Sequence, residues 1–199
     1  MTEKKGTAIS PAEKWDAQYR AGRWDYLASL EQAPRYAVLA AWSHRLCRSP
    51  SVLDVGCGEG LLLEALRRGG DLRYYGIDFA PAAVERARLR IVHGDREIVE
   101  CISAEAFDVA AAAPDLVIFN ESLNCFIEPV RLLERYLNAV IDGFVLLSIA
   151  GFDVALADEI RRIHEERLGA AVSIEDRLVG KAWHLMAIGG SSRAAEGLR

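Results

Sequence analysis

Three groups of residues in this chain have the types and spacing that chemistry needs. The first is Ser51-Val-Leu-Asp-Val-Gly-Cys-Gly-Glu-Gly60, where Asp54 closes a short apolar run and glycines follow at Gly56, Gly58 and Gly60. Missing side chains let a backbone turn tightly and lie against a ligand where any Cβ would collide. The second is Asp78, which ends Tyr-Tyr-Gly-Ile-Asp, 18 positions after Gly60 (78 − 60). The third is Phe119-Asn-Glu-Ser-Leu-Asn124, where a carboxylate and two amides end another apolar run. Together they describe a site where backbone meets a small, flat, charged ligand, with one carboxylate free to handle a proton.

Other reactive side chains carry less. Among His44, His93, His164 and His184, only His184, within Trp183-His-Leu-Met, is expected near a core or pocket, as a satisfied core histidine and not a catalyst. None has metal-ligand spacing with another, so no metal is expected. Cys47, Cys57, Cys101 and Cys125 form no C-x-x-C pair and sit mostly in apolar runs. They read as reduced, buried thiols, not as disulfides or a zinc site.

These groups need a scaffold, and 199 residues suffice for one three-layer domain over 1–199. A hydrophobic share of 51% with 27% charged residues suits a soluble globular protein. No apolar run approaches the ~20 residues of a membrane span, and no apolar stretch follows the lysines of the N-terminus. A cytoplasmic protein without membrane contact is expected. The net charge of −5, with no basic stripe, argues against nucleic acid as a partner.

Pattern reading predicts a helical cap over 10–48, with Ser10 capping a helix over 11–21 and a second helix over 34–48 that Pro50 stops. Strand–helix alternation then fills a core over 51–150. Strands are expected at 52–55, 74–77, 97–102, 115–119 and 144–149, with helices at 61–68, 81–90, 105–112 and 129–139 between them. A helix over 154–168 and strands at 171–176 and 182–188 complete 151–189. The last two strands are too close for a parallel crossover, so they form an antiparallel hairpin. The fold class expected is α/β: a Rossmann-like, seven-stranded, mostly parallel sheet with an antiparallel last strand, helices on both faces and an N-terminal helical cap. The tail 190–199 has linker composition and is expected to be disordered, like the first nine residues.

VLDVGCGEG followed by YYGIDFAPAAVERAR resembles the signature of class I S-adenosylmethionine-dependent methyltransferases, over about residues 50–150. The leading WDAQYRAGRWDYL…PRY resembles compact bacterial small-molecule methyltransferases, N-methylating ones included. A nicotinamide-binding Rossmann domain competes, but it wants G-x-G-x-x-G, whereas here an acid precedes glycines at every second position. The resemblance implies S-adenosyl-L-methionine as cofactor and S-adenosyl-L-homocysteine as product. Asp54 would then order the turn and hold the cofactor's amino-acid end, with Gly56, Cys57 and Gly58 beneath it. Asp78 would accept both ribose hydroxyls, and Phe79 would wall the adenine. Where the family places an acid before alanine, this chain has Ser103-Ala104, leaving a hydroxyl and an amide for the adenine, with Glu105 one turn away. Asn120 would approach the cofactor, and Arg35 would pair with its methionine carboxylate.

On the acceptor side, Trp15, Tyr19, Trp24, Tyr36 and Asn124 would form an aromatic and polar lid, since aromatic faces favour cations. Neutralising an amine of lysine-like pKa near 10.4 at pH 7 costs about 4–5 kcal/mol, so a carboxylate that takes the proton is useful. Glu121 is the candidate base. Each assignment has a plainer alternative: Asp78 as a helix cap, Glu121 in a salt bridge, the aromatics as packing, Arg35 at the surface. The expected function is methyl transfer to a small-molecule amine nitrogen. O- or C-methylation in a natural-product pathway and non-catalytic cofactor binding are the competing readings.

Overall fold

The computed structural model describes residues 11–190; the expectations for residues 1–9, for Ser10 as a cap and for 191–199 of the tail over 190–199 lie outside them, while Gly190 itself donates to the Gly143 carbonyl at 3.0 Å. Seven strands form one sheet in the order β3-β2-β1-β4-β5-β7-β6. They are β1 (Ser51–Val55), β2 (Arg73–Asp78), β3 (Glu97–Cys101), β4 (Leu116–Asn120), β5 (Phe144–Ala150), β6 (Leu168–Asp176) and β7 (Lys181–Gly189). The first five are mutually parallel, while β7 runs antiparallel to both β5 and β6. The expected reversed last strand is present.

Central parallel strands are covered on both faces, so their residues are apolar without alternation, yet successive side chains still enter opposite layers. Leu116 and Ile118 join one buried cluster while Val117 and Phe119 join the other. One layer holds α2 (Ala33–Leu46), α3 (Leu61–Gly69) and α4 (Pro81–Arg88), with Leu39, Leu63 and Val84 in its core. The other holds α6 (Pro129–Ala139) and α7 (Val154–Ile163), with Leu133, Tyr136 and Ile160 buried. Proline opens α4 and α6, where its missing N–H would have no helical partner anyway.

Two helices are shorter than periodicity predicts. The helix expected over 105–112 is only α5 (Val109–Ala112). Ser103 Oγ accepts from the Ala106 amide at 3.3 Å in a turn of its own, and Asp108 accepts from the Ala111 amide at 3.2 Å, so its side chain caps a new helix start at Val109. Arg135 of α6 completes the turn, donating to the carbonyls of Ala104, Glu105 and Phe107 at 3.1, 2.7 and 2.5 Å. The helix expected to reach 168 ends at Ile163, because Leu168 onward pairs with β7, starting at Leu168↔Ile188. Sheet pairing overrides the helical pattern there. Among the described residues no helix is long and apolar enough to cross a membrane.

Candidate active site

The expected cap over 10–48 divides: α1 (Pro11–Arg20), the first short turn after it and the first turn of α2 line the site at the carboxyl ends of the parallel strands, while the rest of α2 packs on the sheet face beside α3. Between cap and strand ends is a cavity of about 250 Å³. In a sheet of this kind, ligands bind beyond the carboxyl ends of the strands, where the strand order reverses. Here that point lies between β1 and β4, since the order runs β3-β2-β1 outward on one side and β4-β5 on the other.

The glycine turn after β1 is tied down from beneath. The amides of Gly56 and Cys57 both donate to the carbonyl of Ile77, at 2.8 and 3.0 Å. Gly56 has φ +70, and a Cβ there would lie 2.6 Å from the Ser122 Cβ. Gly58 has φ +54, and a Cβ there would lie 2.8 Å from the Tyr19 hydroxyl. Both positions therefore need glycine for conformation and for space. Ser122 in turn donates to the carbonyl of Val55 at 2.5 Å, locking the β4 loop against the turn.

Two carboxylates flank this turn in different states. Asp78 accepts from the Gly58 amide at 3.0 Å and from the Ala80 amide at 2.8 Å. The Ala80 amide precedes the first turn of α4, so Asp78 steadies the chain entering that helix without capping it, and its carboxylate faces the cavity. A carboxylate has about four acceptor sites, so two remain for a ligand's hydroxyls. Asp54 is 1% exposed and lies behind the turn, outside the cavity lining. The Tyr74 hydroxyl donates to its Oδ2 at 2.8 Å, and its Oδ1 has no partner.

Burial pushes Asp54 up to about 7, only partly offset by the Tyr74 hydrogen bond, and burial likewise raises Asp78 against the pull of its amide donors. For Asp54 the folded state holds its proton to higher pH than the unfolded chain does. Its contribution is therefore fully present below the unfolded value and is lost as pH rises from about 4 through 7. Asp54→Asn is expected to remove this loss, amounting to roughly 4 kcal/mol for a shift of this size. Melting curves from pH 5 to 8 should show the wild type falling relative to the variant; parallel curves would contradict the buried, proton-holding Asp54.

The cap is fastened by polar contacts that sequence reading did not assign. Asp16 Oδ1 accepts from the Ala82 amide at 2.7 Å, so α1 supplies a cap to α4. Arg86 joins three pieces: it donates to the Tyr19 carbonyl at 2.7 Å, to Asp25 at 3.1 Å and to Glu59 of the glycine turn. Trp15 stacks on Trp24 with ring centres 5.0 Å apart, and Tyr19 tilts against Trp24 at 6.3 Å. These rings pack on Ala80, Ala82 and Ala83 and also line the cavity, so packing and lid coincide.

Arg35 and Glu121 meet. Arg35 is 1% exposed, and its guanidinium forms an ion pair with Glu121, which is 22% exposed and has a left-handed φ of +53. Left-handed backbone at a bulky residue is strained and concentrates at functional sites. Arg35 also donates to the Tyr36 hydroxyl at 2.9 Å, and Tyr36 donates to the carbonyl of Leu27 at 3.2 Å. The surface role for Arg35 is ruled out, and the salt bridge held open as an alternative for Glu121 is present.

Gly56, Cys57, Gly58, Asp78, Phe79, Asn120, Glu121 and Asn124 all line the cavity, with Arg35, Trp15, Tyr19, Trp24 and Tyr36 from the cap. Asn120 accepts from Ser148 at 3.2 Å through its oxygen, leaving its amide nitrogen for a ligand. Ser103 and Ala104 are not in the lining; Ser103 serves its own turn, and the Ala104 carbonyl holds Arg135 and Tyr136. Glu105 is exposed. Ser122, Phe126, Tyr26 and Phe152 also line the cavity. Their positions just past strand ends or among the cap aromatics were the available signal.

Several smaller expectations need correction. Only Cys57 is a buried thiol; Cys101 and Cys125 are exposed, because both lie in loops or strand ends and not in the core. The buried histidine is His164 and not His184, which is only half-buried on the hairpin: His164 is 7% exposed at the end of α7, and burial lowers its pKa. His44 bonds the Leu66 carbonyl at 2.8 Å at the end of α3. His184 contacts Ser173 Oγ at 2.9 Å across the hairpin. Among the described residues no cluster of His, Cys, Asp or Glu suits a metal ion.

This order of strands and this glycine turn define the class I, S-adenosylmethionine-dependent methyltransferase fold. Residues 53–145 match the family described as methyltransferase domain. The ribosomal protein L11 methyltransferase of Paraburkholderia phytofirmans is 28% identical over 127 residues, covering 61% of this chain and 38% of that protein. The ubiquinone biosynthesis O-methyltransferase of Neisseria meningitidis serogroup C is 36% identical over 111 residues, covering 53% of this chain and 46% of that protein. The chain thus matches less than half the length of these two relatives. Over the fold, the N-methyltransferase NodS of Bradyrhizobium japonicum, solved with S-adenosyl-L-homocysteine, superposes with a TM-score of 0.75 at 17% identity. That match covers 90% of this chain and 97% of that one.

Proposed function

We propose that the protein is a methyltransferase that binds S-adenosyl-L-methionine over its glycine turn and methylates a small acceptor, preferably at an amine nitrogen. The observation that carries this reading is the pairing of buried Arg35 with half-buried Glu121 under an aromatic cap, opposite a glycine turn and Asp78, all around one cavity. The residues fit the cofactor: two left-handed glycines make a cradle, Asp78 keeps acceptor sites for the ribose, and Arg35 brings a cation for a carboxylate.

S-adenosylmethionine supplies an activated methyl group on sulfur, which is transferred in line to a nucleophile. The protein's task is then to align the acceptor and keep it deprotonated. That Asn120 and Glu121 stand side by side at the end of β4 and line the cavity supports a role in orienting an amine and accepting its proton. Trp15, Tyr19 and Trp24 close the site from above and exclude water.

A cavity of about 250 Å³ that cofactor and acceptor must share, under a cap that Asp16 and Arg86 fasten, supports a small acceptor. A methyl-transfer screen against amines, phenols and carboxylic acids tests the reading, with turnover expected on amines first. Glu121→Gln is expected to cut turnover by about 100-fold while cofactor binding is retained. An unchanged rate across pH would remove Glu121 from the chemistry, and cofactor binding without transfer to any acceptor would leave a cofactor-binding protein.

A further inference from the structure

Arg35 and Glu121 are each wanted by a different partner during the proposed reaction, yet in this structure they hold each other. Glu121 cannot receive an acceptor's proton well while a guanidinium neutralises it. Arg35 cannot grip a carboxylate fully while Glu121 holds one of its terminal nitrogens and Tyr36 the other. Arg35 nevertheless sits at 1% exposure with Nε unpartnered, and Tyr36 anchors its other end at 2.9 Å. A buried cation with a spare donor in a ligand cavity is set to take an anion.

The geometry points to an exchange: we propose that the cofactor's carboxylate displaces Glu121 from Arg35, so that Glu121 becomes available to the acceptor only once the cofactor is bound. Binding is then ordered, cofactor before acceptor, and the acceptor site becomes anionic only in the loaded protein. Arg35 keeps its place throughout, because Tyr36 ties it to the Leu27 carbonyl of the cap. Glu121, on a left-handed backbone and 22% exposed, is the partner with room to move. No covalent step is involved, and one carboxylate replaces another on the same guanidinium. This inference rests on the methyltransferase reading above.

The test is calorimetry on the full chain with S-adenosyl-L-homocysteine and with its analogue lacking the carboxylate. If Glu121 competes with the ligand carboxylate, Glu121→Gln should bind S-adenosyl-L-homocysteine about tenfold more tightly, the scale of one charge-assisted hydrogen bond. The decarboxylated analogue should not respond, because it never displaces Glu121. Arg35→Lys should narrow the wild type's preference for the carboxylated ligand. Weaker or unchanged binding of S-adenosyl-L-homocysteine by Glu121→Gln, or equal tightening for both ligands, would overturn the exchange while leaving the methyltransferase reading intact. Failure of the folded wild type to bind S-adenosyl-L-homocysteine at all would overturn both.

Discussion

Asp78→Ala is expected to weaken S-adenosyl-L-homocysteine binding by about 100- to 1,000-fold, the combined loss of two hydrogen bonds to a charged group. In the folded chain this carboxylate is 7% exposed and already holds the amides of Gly58 and Ala80. Its removal therefore acts twice: the ribose loses its acceptor, and the glycine turn loses one of its three ties to β2, the other two being the Gly56 and Cys57 amides on Ile77. Calorimetry on the variant, with its fold checked by circular dichroism, reads the effect. Binding within threefold of wild type would place the ribose elsewhere. Asp78→Asn separates the two roles, because its amide oxygen can hold one backbone donor but cannot replace the charge.

Gly56→Ala is expected to be the most destabilising single change in the site. Its φ of +70 disfavours any side chain by about 1 kcal/mol or more. The added Cβ would also stand 2.6 Å from the Ser122 Cβ, so the β4 loop must shift and its hydrogen bond to Val55 suffers. A total near 3 kcal/mol would lower the melting temperature by roughly 10 °C for a domain of this size. Ser122→Gly should partly rescue the double variant by removing the colliding atom. The two changes share one contact, so their effects should not add. Strict additivity would show that the collision is not the cause.

The sheet was legible because buried parallel strands announce themselves as apolar runs, and Val52–Val55, Leu116–Phe119 and Phe144–Ile149 all do. The hairpin was legible from the shortness of its link. Cavity residues were legible where a strand end coincided with an unusual residue, as at Asp78 and Glu121. What escaped was whatever depends on contacts distant in sequence. Arg135 stops the helix expected after β3 by holding three carbonyls from 28 to 31 residues away, and no local pattern reports that. The pairing of Arg35 with Glu121, 86 positions apart (121 − 35), likewise exists only in the folded chain. Arg86 and Asp16, which no local pattern singles out, fasten the cap through contacts of the same long-range kind.

The most direct test of the central claim is a crystal structure of the full chain with S-adenosyl-L-homocysteine. The ribose hydroxyls should lie on Asp78, the ligand's amino-acid end over Gly56 and Gly58 with its carboxylate on Arg35, and the sulfur should face Glu121 beneath the aromatic cap. A ligand that stays out of this cavity, or one whose ribose sits away from Asp78, would contradict the account.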